Sequence, residues 1–219
     1  MSTRATRLSA LSLLLLWPGL VLAQSPKMAA TYITDEEVKA VNKLPGVDRQ
    51  IISTDIGKSN LSVGIVHRGP TNAPAATPPG GGGGAGGGAV AASKQPACGE
   101  SSSTPAAAGT ATGIAHDAQT ETYIIVSGGG TLVTGGHIAN GRRSAPDSQV
   151  TLVLNGPSCS GRIEGPDVVR KAVKPGDIII IPAGVPHGWT DITDHVDYLS
   201  VRPDPERVLK PYLNPVLKK

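Results

Sequence analysis

The chain has 219 residues, with 20 basic and 17 acidic side chains for a formal net charge of +3, 28 glycines, 19 prolines and no phenylalanine. Two of the basic residues, Arg4 and Arg7, belong to a leader-like N-terminus, so 18 basic residues face 17 acidic ones in the remainder, a balance of +1. Arg142, Arg143, Arg170, Lys171, Lys174, Lys218 and Lys219 are scattered without interleaved aromatics, which excludes the focused basic stripe of a nucleic-acid groove. Two cysteines with neither a CxxC nor a Cys–His cluster exclude thiol redox catalysis and a structural zinc site.

In chain order, residues 1–23 (MSTRATRLSALSLLLLWPGLVLA) combine a basic start, an apolar middle and Ala23 at the cut, the pattern of a signal peptide. The run Leu8–Leu22 is shorter than the ~20 residues of a bilayer span and Pro18-Gly19 interrupts it. The mature protein is therefore expected to be secreted or periplasmic, with no stable membrane span after cleavage. Thr34-Asp35-Glu36-Glu37 reads as a capping box, starting a short helix that ends before Leu44-Pro45-Gly46. Gln50–Thr54 and Leu61–His67 alternate as strands around a hairpin turn at Gly57–Asn60. Residues 24–69 thus supply a helix and strands that join a barrel.

Residues 70–112 are rich in Gly, Ala, Pro and Ser and bury too little apolar surface to offset the entropy of ordering, so they read as a flexible surface insertion. The glycine run has no Lys-Ser/Thr after it, so it is no phosphate loop. Cys98 falls in this stretch, and in an oxidising compartment an even pair predicts a Cys98–Cys159 disulfide, two free thiols being the alternative. From Gly113 the chain reads as short strands: Glu121–Val126 and Thr131–Thr134 across Ser127-Gly128-Gly129-Gly130, then Val150–Leu154, Gly161–Glu164, Val168–Val173, Asp177–Ile181, His187–Asp191 and Val196–Arg202. Ile178–Ile181 has the composition of a buried strand, Pro182 ends its ladder, and Gly184 permits the turn that returns the chain at His187. Regular turns and no helical period indicate one all-β barrel over 113–205, with a tail at 206–219 that wraps a surface or frays. Arg142-Arg143 and the stretch Gly156–Gly161 around Cys159 read as exposed loops.

Glu121, Tyr123 and Ile125 share one strand face. On an interior face Glu121 is a buried carboxylate, which needs a partner or a metal. His116 lies across a turn from it, and imidazoles with a carboxylate are a common ligand set for Fe, Mn, Zn or Ni. Tyr123 is either a candidate acid–base group or a packed strand tyrosine. His137 is a possible replacement ligand or an exposed strand end; His67 also reads as a strand end and His195 as a hairpin-turn residue. Trp189, facing the same way as His187, is a lid or a plug. No Gly-x-Ser-x-Gly occurs to anchor a serine triad, and Asp177 with Glu164 makes no case for a glycosidase pair.

The segment Gly176-x5-Pro182-x-Gly184-x2-His187 resembles the second motif of the cupin superfamily, with Asp191 where that pattern ends in Asn. Glu121-x6-Gly128, with His116 five residues before the glutamate, resembles the latter half of the first motif; Ile114 stands where its first histidine would be, and Gly109 is one residue late for its leading glycine. The resemblance covers 113–202, and 47–69 loosely. It implies a jelly roll of six to eight strands, a divalent metal held by His116, Glu121 and His187, and a homodimer paired through its sheets. Tyr123 resembles the tyrosine that follows the glutamate in cupin-type lyases acting on dimethylsulfoniopropionate. Two functions stay open: a metal-dependent oxygenase, isomerase or lyase acting on a small polar molecule, or a metal-free barrel with a ligand-binding or structural role. Intact Glu121 and His187 favour the first, Ile114 the second.

Overall fold

Helix α1 (Asp35–Asn42) begins at the predicted capping box: the Glu37 amide donates to Thr34 Oγ1 at 3.2 Å and the Thr34 amide donates to the Glu37 carboxylate at 2.9 Å. The computed structural model describes residues 29–71 and 95–217. The signal-peptide reading of 1–23, the glycine run of the insertion and Lys218-Lys219 lie outside the described residues. Thirteen strands follow: β1 (Asp48–Asp55), β2 (Asn60–Arg68), β3 (Ala97–Cys98), β4 (Thr112–His116), β5 (Glu121–Gly128), β6 (Gly130–Thr134), β7 (His137–Arg143), β8 (Ser158–Glu164), β9 (Val169–Val173), β10 (Ile178–Ile181), β11 (His187–Thr190), β12 (Val196–Asp204) and β13 (Tyr212–Leu213). They form two antiparallel sheets, of order β10-β5-β12-β2-β1-β13 and β3-β7-β8-β4-β11-β6-β9. This is the expected all-β jelly roll with a short N-terminal helix.

Side-chain alternation builds three apolar layers from these sheets. Between them pack Val66, Tyr123, Ile125 and Tyr198 of the first sheet with Leu132 and Trp189 of the second. Ile65 faces the other way from Val66, and on that outer side Val41 of α1 and Leu217 of the tail cover Ile51 and Ile65. Val133, opposite in direction to Leu132, joins Ala111, Ile138, Cys159 and Ile163 on the outside of the second sheet.

Several expectations are corrected. Val150–Leu154 is a π-helical turn rather than a strand, closed by the Asn155 amide donating to the Val150 carbonyl at 2.7 Å. A short apolar run does not distinguish strand from buried helix by period. Locally, Ser148 Oγ accepts from the Thr151 amide and Thr151 Oγ1 donates to the Ala145 carbonyl, which offers the backbone an alternative to a ladder. Arg142 and Arg143 end strand β7, and Cys159 lies within β8 rather than in a loop. Residues 95–112 are folded: β3 pairs with β7, Glu100 bridges Ala139, and Cys98 is disulfide-bonded to Cys159 as expected. Their composition concealed this because a covalent tether and added strand pairing, not core volume, hold them. The isoleucine strand β10 is only half buried: Ile178 and Ile180 are 65% and 69% exposed while Ile181 is 2% exposed. It is an edge strand with one face on the interior, and composition alone did not separate one-sided from two-sided burial. The tail is tied down by pairing of β13 with β1 and by Asp204, whose carboxylate accepts the Val208 and Leu209 amides at 2.9 Å.

Two glycines set the distance between β4 and β11. Gly113 and Gly188 stand opposite each other, and a Cβ on either would run into a carbonyl of the facing strand. In that register His187 lies directly opposite Ile114.

Candidate metal centre

His187 opens β11 just after the Pro182–Val185 turn. Gly184 takes the positive φ of 80° that the turn requires, and its amide donates to the His116 carbonyl at 2.7 Å, fastening the turn to the end of β4. The His187 Nδ1 lies 2.9 Å from the Val185 carbonyl. A carbonyl only accepts, so Nδ1 carries a hydrogen and Nε2 is the ring nitrogen turned toward the site. That nitrogen is 3.1 Å from Glu121 Oε2 and has no hydrogen-bond partner.

His116 ends β4 with its Nε2 3.2 Å from the same Oε2, and the two imidazoles are 5.0 Å apart. Burial pushes the His116 pKa down and the Glu121 charge only partly offsets this, so the ring is neutral. Glu121 opens β5 and is 1% exposed. Its Oε1 accepts from Arg202 Nε at 2.5 Å and from Ser200 Oγ at 2.9 Å, while Oε2 accepts from the Tyr123 hydroxyl at 2.8 Å. Burial alone would raise its pKa; the Arg202 guanidinium, with His116, outweighs that and holds the carboxyl well below its ordinary value. Arg202 continues the network to Asp48 at 2.6 Å and to Gln50 at 3.3 Å. Burial of Arg202 is outweighed by Asp48 and Glu121, which raise its pKa and keep it charged.

Tyr123 is both a packed residue and a site residue: it lies 4.2 Å, ring to ring, from Tyr198 and points its hydroxyl at Glu121. Burial, and then the Glu121 charge, raise its pKa well above 10.0, so the phenol keeps its proton. One donor atom from each of His116, Glu121 and His187 lies within 4.8 Å of the others. Beside them is a cavity of about 20 Å³ whose walls include Ile114, Tyr123 and Asn155, enough for one water or ion.

The remaining sequence candidates lie elsewhere. His137 is 3.5 Å from Glu100, His67 pairs with Asp197 at 2.6 Å, and His195 sits in the β11–β12 turn, 2.6 Å from Asp194. Trp189 is a plug, 7% exposed and stacked on Tyr198 at 5.4 Å. Sequence reading missed Arg202, Ser200, Asp48 and Asn155. A signal for two of them was present, because Tyr198, Ser200 and Arg202 are two apart and share the interior face of β12.

These shifts set an acid-side stability profile for the metal-free chain. His116 is held below its ordinary 6.5 in the fold. The unfolded chain therefore binds the extra proton first, and stability declines as pH falls through 6.5. Glu121 is held below its ordinary 4.5, so its contribution is full above 4.5 and is lost as pH falls further. Urea midpoints from about pH 7.5 to about pH 4 should show both declines, and His116→Gln should flatten the earlier one. Parent and variant falling in parallel between about pH 6.5 and about pH 5 would contradict a neutral His116.

No family model matches the chain, and no curated protein matches it. Among solved structures it is similar to a conserved protein with a double-stranded β-helix domain from Klebsiella pneumoniae, at 15% identity and a TM-score of 0.37, covering 83% of this chain and 94% of that one. It is also similar to the polyketide cyclase RemF of Streptomyces resistomycificus, at 16% identity and a TM-score of 0.35, covering 80% of each. A third likeness is to DMSP lyases, at 14% identity and a TM-score of 0.31, covering 70% of this chain and 44% of that one. The chain's two antiparallel sheets, with the His116–Gly128 and Gly176–His187 segments meeting inside the barrel, form the jelly roll that the resemblance to the cupin motifs implies.

Proposed function

We propose that this is an exported cupin barrel that holds one divalent metal through His116, Glu121 and His187 and binds or acts on a small polar molecule beside it. The observation that carries the reading is the convergence of His116 Nε2, at 3.2 Å, and His187 Nε2, at 3.1 Å, on one oxygen of the buried Glu121 carboxylate. A buried carboxylate needs a partner or a metal. The donor set of two imidazoles and one carboxylate suits Fe, Mn, Ni or Zn. Such a metal supplies Lewis acidity and an acidified water.

The chain's own residues prepare the site. The Val185 carbonyl holds the His187 tautomer, while Arg202 and Ser200 occupy Glu121 Oε1 and leave Oε2 on the cavity side. Tyr123 donates to Oε2 and stays protonated, so its role is proton or hydrogen-bond donor rather than base. Asp48 balances Arg202, leaving the Glu121 charge uncancelled overall. Export is supported by the leader-like residues 1–23 and by a disulfide of the kind that persists in oxidising compartments.

The metal-free alternative keeps two specific supports, since Ile114 occupies a ligand position and Arg202 already pairs with Glu121. Elemental analysis by plasma mass spectrometry separates the two readings. Near one metal per chain is expected in the parent, with loss in His187→Ala and in Glu121→Gln. No metal in the parent, even after incubation with Fe, Mn, Ni and Zn salts, sinks the metal reading.

A further inference from the structure

One residue of the cavity wall comes from outside both sheets. Asn155 is 5% exposed, lines the cavity, and its Oδ1 is buried with no hydrogen-bond partner. A buried carbonyl oxygen left unpaired costs free energy, and native chains keep few of them. It is also the residue at which the π-helical turn stops, with φ −121°, ψ −9° and its amide bonded back to Val150. π-helical turns are rare and are frequent at functional sites. Four atoms of residues lining this cavity lack a hydrogen-bond partner: Asp48 Oδ1, His116 Nδ1, His187 Nε2 and Asn155 Oδ1. Of these, the Asn155 amide oxygen is an uncharged acceptor for a hydrogen.

Resting on the metal reading above, we propose that Asn155 is a ligand-contacting residue of this centre: its Oδ1 accepts a hydrogen bond from the O–H group, of water or of a small hydroxylated molecule, that fills the cavity beside the metal. The cavity's size fits this, because about 20 Å³ admits one such oxygen and no larger group without movement of the walls. The ligand class is thereby narrowed to molecules that present a hydroxyl, or leave a water, beside the metal.

The test is a Co(II) titration of the full chain followed by its visible absorption, together with thermal melting of the metal-free form. In Asn155→Ala the affinity for Co(II) should fall about tenfold or more, as for other groups that hold a metal's partners in place. Its metal-free melting temperature should be unchanged or raised, because the lost oxygen had no partner. Asn155→Asp, which keeps the shape, should bind Co(II) more tightly than the parent. Equal affinity in the parent and Asn155→Ala overturns the proposal and leaves the metal centre standing. A loss of affinity that comes with a lower metal-free melting temperature, and no gain in Asn155→Asp, assigns Asn155 to packing and also overturns it. Failure of the parent itself to bind Co(II) overturns the metal reading, and this inference with it.

Discussion

Arg202→Met is expected to lower the melting temperature by roughly 10–15 °C, the steepest loss from any single substitution inside the barrel. Arg202 is 1% exposed and joins two carboxylates, the buried Glu121 and the partly buried Asp48, whose side chain is 7% exposed. Removing one partner of a buried ion pair costs about 3–5 kcal/mol, because the charge left behind has neither water nor counterion. For a domain of this size each kcal/mol moves the midpoint by about 2–4 °C. Methionine fills much of the same volume, so the loss reads the charge rather than a cavity. The mechanism has a signature in a double-mutant cycle. Once arginine is gone, Glu121→Gln should recover part of the stability, since it removes the stranded charge. Strictly additive losses in Arg202→Met, Glu121→Gln and the double variant would mean that the pair is not coupled, and the electrostatic account of the site would be withdrawn.

The second large effect is expected from Cys98→Ser with Cys159→Ser. The bond closes a sequence separation of 61 residues, for which chain entropy assigns about 4 kcal/mol. The bond also anchors the segment that leads to Ala111, whose side chain belongs to the outer layer with Ile138 and Ile163. Urea unfolding of the double serine variant should shift by most of that amount, and the parent under reducing conditions should shift with it. Hydrogen exchange should quicken first in β3 and β7. A shift below about 1 kcal/mol would show that strand pairing and the apolar layer hold the segment unaided.

How much of this was legible in the sequence depended on whether the signal was local. The capping box and the β1–β2 hairpin turn are written in adjacent residues, and they formed where expected. The Gly176–His187 segment was equally legible, because a Pro, a turn glycine and a histidine at fixed spacing leave little freedom in how a strand ends and the next begins. His116, Glu121 and His187 meet as the motif positions imply. What did not show were features that depend on the sheet to which a strand belongs. Ile178 and Ile180 face solvent because β10 is an edge, a property of its neighbours and not of four isoleucines. Ala97 and Cys98 form a strand because β7 offers a free edge and a sulfur waits on β8. Arg202 looked like the end of a strand, and only the pairing of β12 with both β2 and β5 encloses it. The π turn before Asn155 was the deepest miss, because Val150–Leu154 satisfies strand and helix patterns alike.

The inward row of β12 also limits how the protein's chemistry can diversify. Val196, Tyr198, Ser200, Arg202 and Asp204 are all buried on one side of that strand. In order they serve the inter-sheet core, a hydroxyl to the carboxylate, its counterion, and the clasp of the C-terminal tail. A one-residue slip or insertion within the strand would turn the whole row outward at once. A change in this row therefore cannot alter the site without also altering the scaffold. Differences in what the site accepts are expected to arise instead from the β7–β8 connection that carries Asn155, which contributes no strand to either sheet.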